Sequence, residues 1–193
     1  MTDKHKLYNG LSQAAWGCVF LYLNVNIGPV NLLPEFAAFL LFLSAIRNLE
    51  EEERELTLLK PFCVILCLCY LLYWCGAFVG GLSGEWTTVP QLIADVILLY
   101  FSFQFYTNLS QLAEKYQGPE DTLDRKLLRL RTVQVVLTTA LFLVTRLLPV
   151  RSSWWEIVAL GMTMVQAVVC LWIMFTLFAV RRLFRKSPES DME

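Results

Sequence analysis

The residues with most chemical content are six polar or charged side chains in apolar surroundings: Asn26, Asn31, Glu35, Asp95, Arg146 and Gln166. Amides hydrogen-bond small polar solutes, carboxylates take a cation or an ammonium group, and a guanidinium takes an anion or one of those carboxylates. A charge at the middle of an apolar helix costs about 2.5–3.5 kcal/mol on insertion scales, so such groups face a bundle interior or a wet cavity and often pair. Asp95 with Arg146 is the expected structural ion pair, and Glu35 is the alternative partner for that arginine. Asn26, Asn31, Glu35, Asp95 and Gln166 form the expected ligand-binding set. Gln91 shares a helical face with Asp95, and Thr163, Gln166 and Cys170, at i, i+3, i+7, share another. The plainer alternative needs no ligand: Asn24 and Asn26 satisfy a turn, Asn31 and Glu35 lie at an interface, and the ion pair joins helices.

Six apolar stretches must position these groups: Leu11 to Ile27, Asn31 to Leu49, Pro61 to Gly81, Val89 to Thr107, Leu128 to Leu148 and Trp154 to Val180. Each has about the 20 residues needed to cross roughly 30 Å of hydrocarbon. The basic residues alternate between their connections. Lys4, Lys6, Arg47, Arg54, Lys60, Lys115, Arg125, Lys126, Arg129, Arg131, Arg181, Arg182, Arg185 and Lys186 fall on one side, and only Arg146 and Arg151 on the other. By the positive-inside rule the expected fold is all-α, an integral membrane bundle of six transmembrane helices in three hairpins, with both termini cytoplasmic. Residues 1–186 make one transmembrane domain and residues 187–193 a short polar tail. All six chemistry-bearing residues then lie in the outer half.

Composition agrees. The chain is 56% hydrophobic and 17% charged, too apolar for a soluble domain of 193 residues. A net charge of -1 leaves no nucleic-acid footprint. Lys4 and Lys6 precede an apolar run without a small-residue cleavage site, so the first helix reads as uncleaved. Trp86, Trp154 and Trp155 mark the outer boundary, and Gly76, Gly80 and Gly84 offer a close helix approach there. Spacings between Pro34, Pro90 and Pro149 hint at an old repeat of the hairpin.

Catalytic and metal chemistry find little support. The six cysteines Cys18, Cys63, Cys67, Cys69, Cys75 and Cys170 all lie in apolar spans and read as small hydrophobic side chains. Cys63 and Cys67 share a face at i, i+4, but there is no CxxC pair, and the one histidine, His5, lies outside the spans. No HExxH, GxSxG or P-loop occurs, so neither an enzyme activity nor a cofactor or metal is expected.

The cytoplasmic connections carry the remaining charge. Arg47 with Glu51 and Glu50 with Arg54 have the i, i+4 spacing of a helix continuing beyond the membrane, and the acidic run Glu50 to Glu53 reads as a solvated face. After Gly118-Pro119, the acids Glu120, Asp121 and Asp124 occupy an expected first turn, with Arg125, Lys126, Arg129 and Arg131 following nearer the anionic lipid heads.

The stretch Leu23-Asn24-Val25-Asn26-Ile27-Gly28-Pro29-Val30-Asn31-Leu32-Leu33-Pro34-Glu35-Phe36 resembles a signature of uncharacterised multispanning membrane proteins of Clostridia and related Firmicutes. In that group Asn-x-Asn-Ile-Gly-x-x-Asn-Ile-Leu-Pro-Asp-Phe joins the first two helices. Glu35 replaces the aspartate, and Ala37-Ala38-Phe39 stands where an Ile-Gly-Tyr step usually follows. The resemblance covers about 40 residues, ends near Arg47 to Arg54, and implies a bacterial cell-membrane protein without implying an activity. In size and topology the chain is also similar to the membrane-embedded substrate-binding components of energy-coupling-factor transporters. The expected function is therefore a small-solute transporter or a membrane substrate-binding component, and the alternative is a non-catalytic helper or sensor acting through its charged cytoplasmic loops. The expected partners are the lipid bilayer, a small-molecule solute and a membrane or cytoplasmic subunit, with no nucleic acid.

Overall fold

A computed structural model describes residues 4–22, 26–27, 30–31, 33–78, 88–118, 120–144 and 153–184. Among them are six α-helices: α1 (Lys4–Tyr22), α2 (Glu35–Leu49), α3 (Lys60–Phe78), α4 (Thr88–Tyr116), α5 (Leu123–Phe142) and α6 (Ser153–Arg182). A two-residue antiparallel ladder, β1 (Asn26–Ile27) with β2 (Val30–Asn31), joins α1 to α2, and a 3₁₀ segment, Arg54–Leu59, leads into α3. Successive helices pack on one another and α6 returns to α1, closing the bundle.

Among the described residues, three segments are long and apolar enough to cross a membrane: Arg54–Gly76, Val89–Tyr116 and Ile157–Arg182. The other three helices differ for visible reasons. With 15 residues, α2 is about 22 Å long, short of the hydrocarbon thickness by itself. The first turns of α1 carry Lys4, His5 and Lys6, and α5 opens with Asp124, Arg125, Lys126, Arg129 and Arg131. Helical structure also runs past the apolar stretches: α1 begins seven residues before Leu11 and α4 continues nine beyond Thr107. Apolarity marks what hydrocarbon tolerates, whereas the backbone stays helical as long as propensity and packing allow.

The tightest contact joins α1 and α2. In α1, Leu7, Gly10, Leu11, Ala14, Ala15, Gly17 and Cys18 form one buried stripe at 3.6-residue period, facing Ala38, Phe39, Phe42, Ala45, Ile46 and Leu49 of α2. A Cβ on Gly17 would lie 2.6 Å from the Phe42 ring, and one on Gly10 would lie 2.7 Å from the Leu49 side chain. These two glycines set the helix separation, as small residues do in apolar surroundings. The expected glycine contact on α3 is placed only at Gly76, which is half-buried; Gly80 and Gly84 lie outside the described residues.

Phe39 and Phe42 meet Phe101 and Phe105 of α4 at ring separations of 5.1–6.2 Å, and Tyr70 of α3 stacks on Phe39 at 5.3 Å. This aromatic centre ties α2, α3 and α4 together, since offset and edge-on rings add attraction beyond their burial. Outward, α3, α4 and α6 present Leu68, Leu72, Ile93, Val96, Val165, Trp172 and Phe175, all exposed.

The acidic run 50–53 keeps a partly solvated face but departs from the expected extended helix. α2 stops at Leu49, and Glu50 to Glu53 turn back to partners on three other helices. Glu50 is ion-paired with Lys60, Glu51 with Lys6 at 2.8 Å, and Glu53 with Lys115 at 2.9 Å, while Tyr116 donates to Glu52 at 2.9 Å. Glu51 is thus drawn across to α1 instead of pairing with Arg47 on its own helix. The Lys60 hydrogen bond holds the Glu50 carboxyl below its ordinary range.

The start of α5 is also corrected. Only Asp124 falls in its first turn; Glu120 and Asp121 precede the helix. Thr122 gives no side-chain cap, and the Gln117 carboxamide oxygen instead accepts from the N–H groups of Leu123 and Asp124 at 3.1 and 3.3 Å. A side chain reaching back from the end of α4 therefore satisfies orphan donors of α5. A hydrogen bond from Gln117 depresses the pKa of the Asp124 carboxyl.

Candidate functional site

The polar groups of the bundle interior are brought together by α1, α4, α5 and α6. Tyr22 near the end of α1 and Tyr106 in α4 have hydroxyls 3.1 Å apart, and Cys18 approaches the same Tyr106 hydroxyl at 3.5 Å. Gln134 of α5 donates to the Tyr22 hydroxyl at 3.4 Å, and Cys170 of α6 donates to the Gln134 carboxamide oxygen at 3.5 Å. One turn before Cys170, Gln166 donates to the Thr138 hydroxyl at 2.9 Å. Its own carboxamide oxygen is buried with no hydrogen-bond partner among the described residues. A buried acceptor without a donor costs about 1–3 kcal/mol, so this atom marks a place that favours a donor from elsewhere.

The orphan oxygen belongs to a side chain that lines a cavity of about 220 Å³. Cys18 and Tyr22 of α1 form one wall, and Thr163, Gln166, Cys170 and Met174 of α6 the other. Thr163, Gln166 and Cys170 share one helical face, so their spacing places them in the same hollow. Asp95 lines a second cavity of about 210 Å³ between α4 and α5, with Leu98, Thr138, Thr139 and Phe142. Thr138 lines the second cavity and accepts from Gln166 of the first, so the hydroxyl links the two. Both hollows reach the outer surface of the bundle, because Thr163, Leu171, Val96 and Thr139 are exposed residues in their walls.

The other expected site residues are placed as follows. Asn26 and Asn31 are Cα partners in the short ladder before α2; their side chains lie outside the described part. Glu35 is the first residue of α2 and half-buried, with Pro34 at the N-cap. The charge of Asp95 acts on Glu35, and both act on Tyr70, so the two carboxylates lie within each other's field. Arg146 lies outside the described residues, and with it the expected ion pair. The structure therefore brings Asp95 towards Glu35 and sets Gln166 in the neighbouring hollow.

Sequence reading missed Tyr22, Tyr106 and Gln134. Gln134 carried a signal, being a carboxamide inside an apolar span, whereas a tyrosine in such a span looks like any aromatic. The cysteines of α3 have a plain role: Cys63 and Cys67 donate to the backbone oxygens of Phe39 and Phe36 at 3.2 and 3.6 Å, fastening α3 to α2. No cluster of three or more His, Cys, Asp or Glu suited to a metal ion occurs among the described residues. No family model, curated protein or solved structure matches the chain.

Proposed function

We propose that this chain is a multispanning membrane protein that holds a small ligand in its interior, as a small-solute transporter or the substrate-binding component of one. The observation that carries the reading is the Gln166 carboxamide oxygen, buried and without a partner among the described residues, on a side chain that lines a cavity of about 220 Å³. In this reading all six helices cross the bilayer of a bacterial cell, as the resemblance of the first hairpin implies. The basic ends of α1, α4, α5 and α6 face the cytoplasm together with both termini, and α2 crosses with the help of the ladder before it. Asn26, Asn31, Glu35, Asp95 and Gln166 then lie in the outer half, where Gln166 and Asp95 meet the ligand through the hollows joined at Thr138. The mostly apolar walls favour a ligand with a small polar head on an apolar body.

Small molecules retained by the mildly solubilised protein, identified by mass spectrometry, test the proposal. Glu35→Gln and Gln166→Leu are expected to abolish retention while leaving expression and melting temperature nearly unchanged. A wild-type protein that retains only lipid sinks the binding reading. Orientation is tested separately: single cysteines introduced at Ser83 and Ser152 of a cysteine-free variant should react with an impermeant reagent in intact cells, and one at Ser187 should not.

The second reading is a helper or sensor working through its inner loops. The acidic run 50–53 disfavours it, since those carboxylates are already engaged within the chain. The basic inner ends of α5 and α6 are the part that favours an external partner.

A further inference from the structure

The two halves of the inner face are charged differently. Every ion pair among the described residues falls on Glu50, Glu51 or Glu53, and each is closed by a lysine of α1, α3 or α4. Arg131 of α5 and Arg181 of α6 have no carboxylate partner among the described residues, yet both are half-buried between helices.

Each guanidinium is held in the same manner. Arg131 lies 4.2 Å above the Phe103 ring of α4 and donates through Nη1 to the Thr107 hydroxyl at 2.7 Å; that hydroxyl in turn donates to the Phe103 backbone oxygen at 2.6 Å. Arg181 lies 5.0 Å from the Phe178 ring and 5.2 Å from the Tyr8 ring, and donates through Nη1 to the Ser12 hydroxyl at 3.2 Å. In both, Nε is buried without an acceptor among the described residues. The rings and hydroxyls fix the planar fork without a carboxylate among the described residues, and a fixed fork matches the oxygens of a phosphate. The two seats lie in separate grooves, one between α4 and α5 and one between α6 and α1, on either side of the α5–α6 pair.

We infer that Arg131 and Arg181 form two seats for the headgroups of anionic phospholipids at the inner membrane surface. The inference rests on the membrane reading above, which puts these helix ends at the cytoplasmic leaflet. That leaflet is where anionic headgroups lie, and basic pockets between helices are where they are held. A headgroup phosphate takes donors left over by Nη1, and the acyl chains lie along the exposed apolar faces of α4 and α6, past Phe103 and Phe175.

The test is native mass spectrometry of the full chain after equilibration in mixed micelles holding equal parts phosphatidylglycerol and phosphatidylcholine. Wild-type protein should retain phosphatidylglycerol preferentially. Arg131→Gln and Arg181→Gln should each weaken that preference roughly fivefold, the double variant should lose it, and the exposed Arg125→Gln and Arg129→Gln should change it little. If Arg131→Gln does not fold, Arg131→Lys decides, because it keeps the charge but not the fork and must lose part of the preference. No preference in the wild type, or a preference surviving the double variant, overturns the assignment. Competition by inorganic phosphate at matching concentration would also overturn it, in favour of a free anion. Resistance of the expressed protein to alkaline extraction from membranes reports on the membrane reading alone, so the two failures are distinguishable.

Discussion

The contact of α1 with α2 and the contact of α6 with α1 and α5 are built on opposite principles. In the first, Gly10 and Gly17 let the helices approach until Leu49 and Phe42 touch the α1 backbone, and the stripe between them is fully buried. In the second, carboxamides, hydroxyls and thiols link the helices beside a cavity of about 220 Å³, and one carboxamide oxygen has no donor among the described residues. A contact fixed by volume resists change of size. A contact fixed by hydrogen bonds around a hollow tolerates change of size and responds to what enters it.

The largest expected effect therefore falls on the first contact. Gly17→Val should destabilise the bundle by about 1–3 kcal/mol or more, because the added carbons meet an aromatic ring that cannot fold aside. Gly10→Ala should cost less, since it adds one carbon against the Leu49 side chain and the Asn48 Cβ where valine at Gly17 adds three against a ring. Thermal unfolding in one detergent ranks the two. Equal tolerance of both would mean that the helices lie farther apart than described.

The second contact should respond more mildly. Gln134→Leu removes the link between Tyr22 and Cys170, and an interhelical hydrogen bond in apolar surroundings is worth about 0.6–2 kcal/mol. Gln166→Leu removes a donor that Thr138 uses together with an acceptor that no described residue uses, so the two effects offset and the melting temperature should scarcely move. A loss at Gln166 as large as that at Gln134 would make Gln166 structural and remove the reason for placing a ligand beside it.

The same contrast explains what was legible in the sequence. Basic residues and apolar lengths are local properties, so the six helices and the alternation of charge could be read directly. The helix face joining Thr163, Gln166 and Cys170 is equally local. The tertiary partners were not legible, because they depend on which helices become neighbours: Glu51 has Arg47 four residues away, yet it pairs with Lys6, 45 residues distant. The role of Gly10 and Gly17 was not legible for the same reason, since it depends on the packing of α2 against α1.

The smallest expected effect belongs to the inner loops, and its sign follows from two carboxyls. Glu50 is depressed in the folded chain by its hydrogen bond from Lys60, and Asp124 by one from Gln117. In the unfolded chain both take up protons at the ordinary carboxylate values, about 4. Between the ordinary and the depressed values the unfolded state binds more protons, so acid favours unfolding there. The stability these groups contribute is fully present above the ordinary values and is lost as pH falls through the depressed ones. Solvent screening keeps the contribution small, because surface ion pairs are worth about 0–1 kcal/mol. Melting temperature measured from neutral pH down to about 3 should therefore decline less steeply in Glu50→Gln with Asp124→Asn than in the wild type. An unchanged slope would place the acid sensitivity outside these two carboxyls.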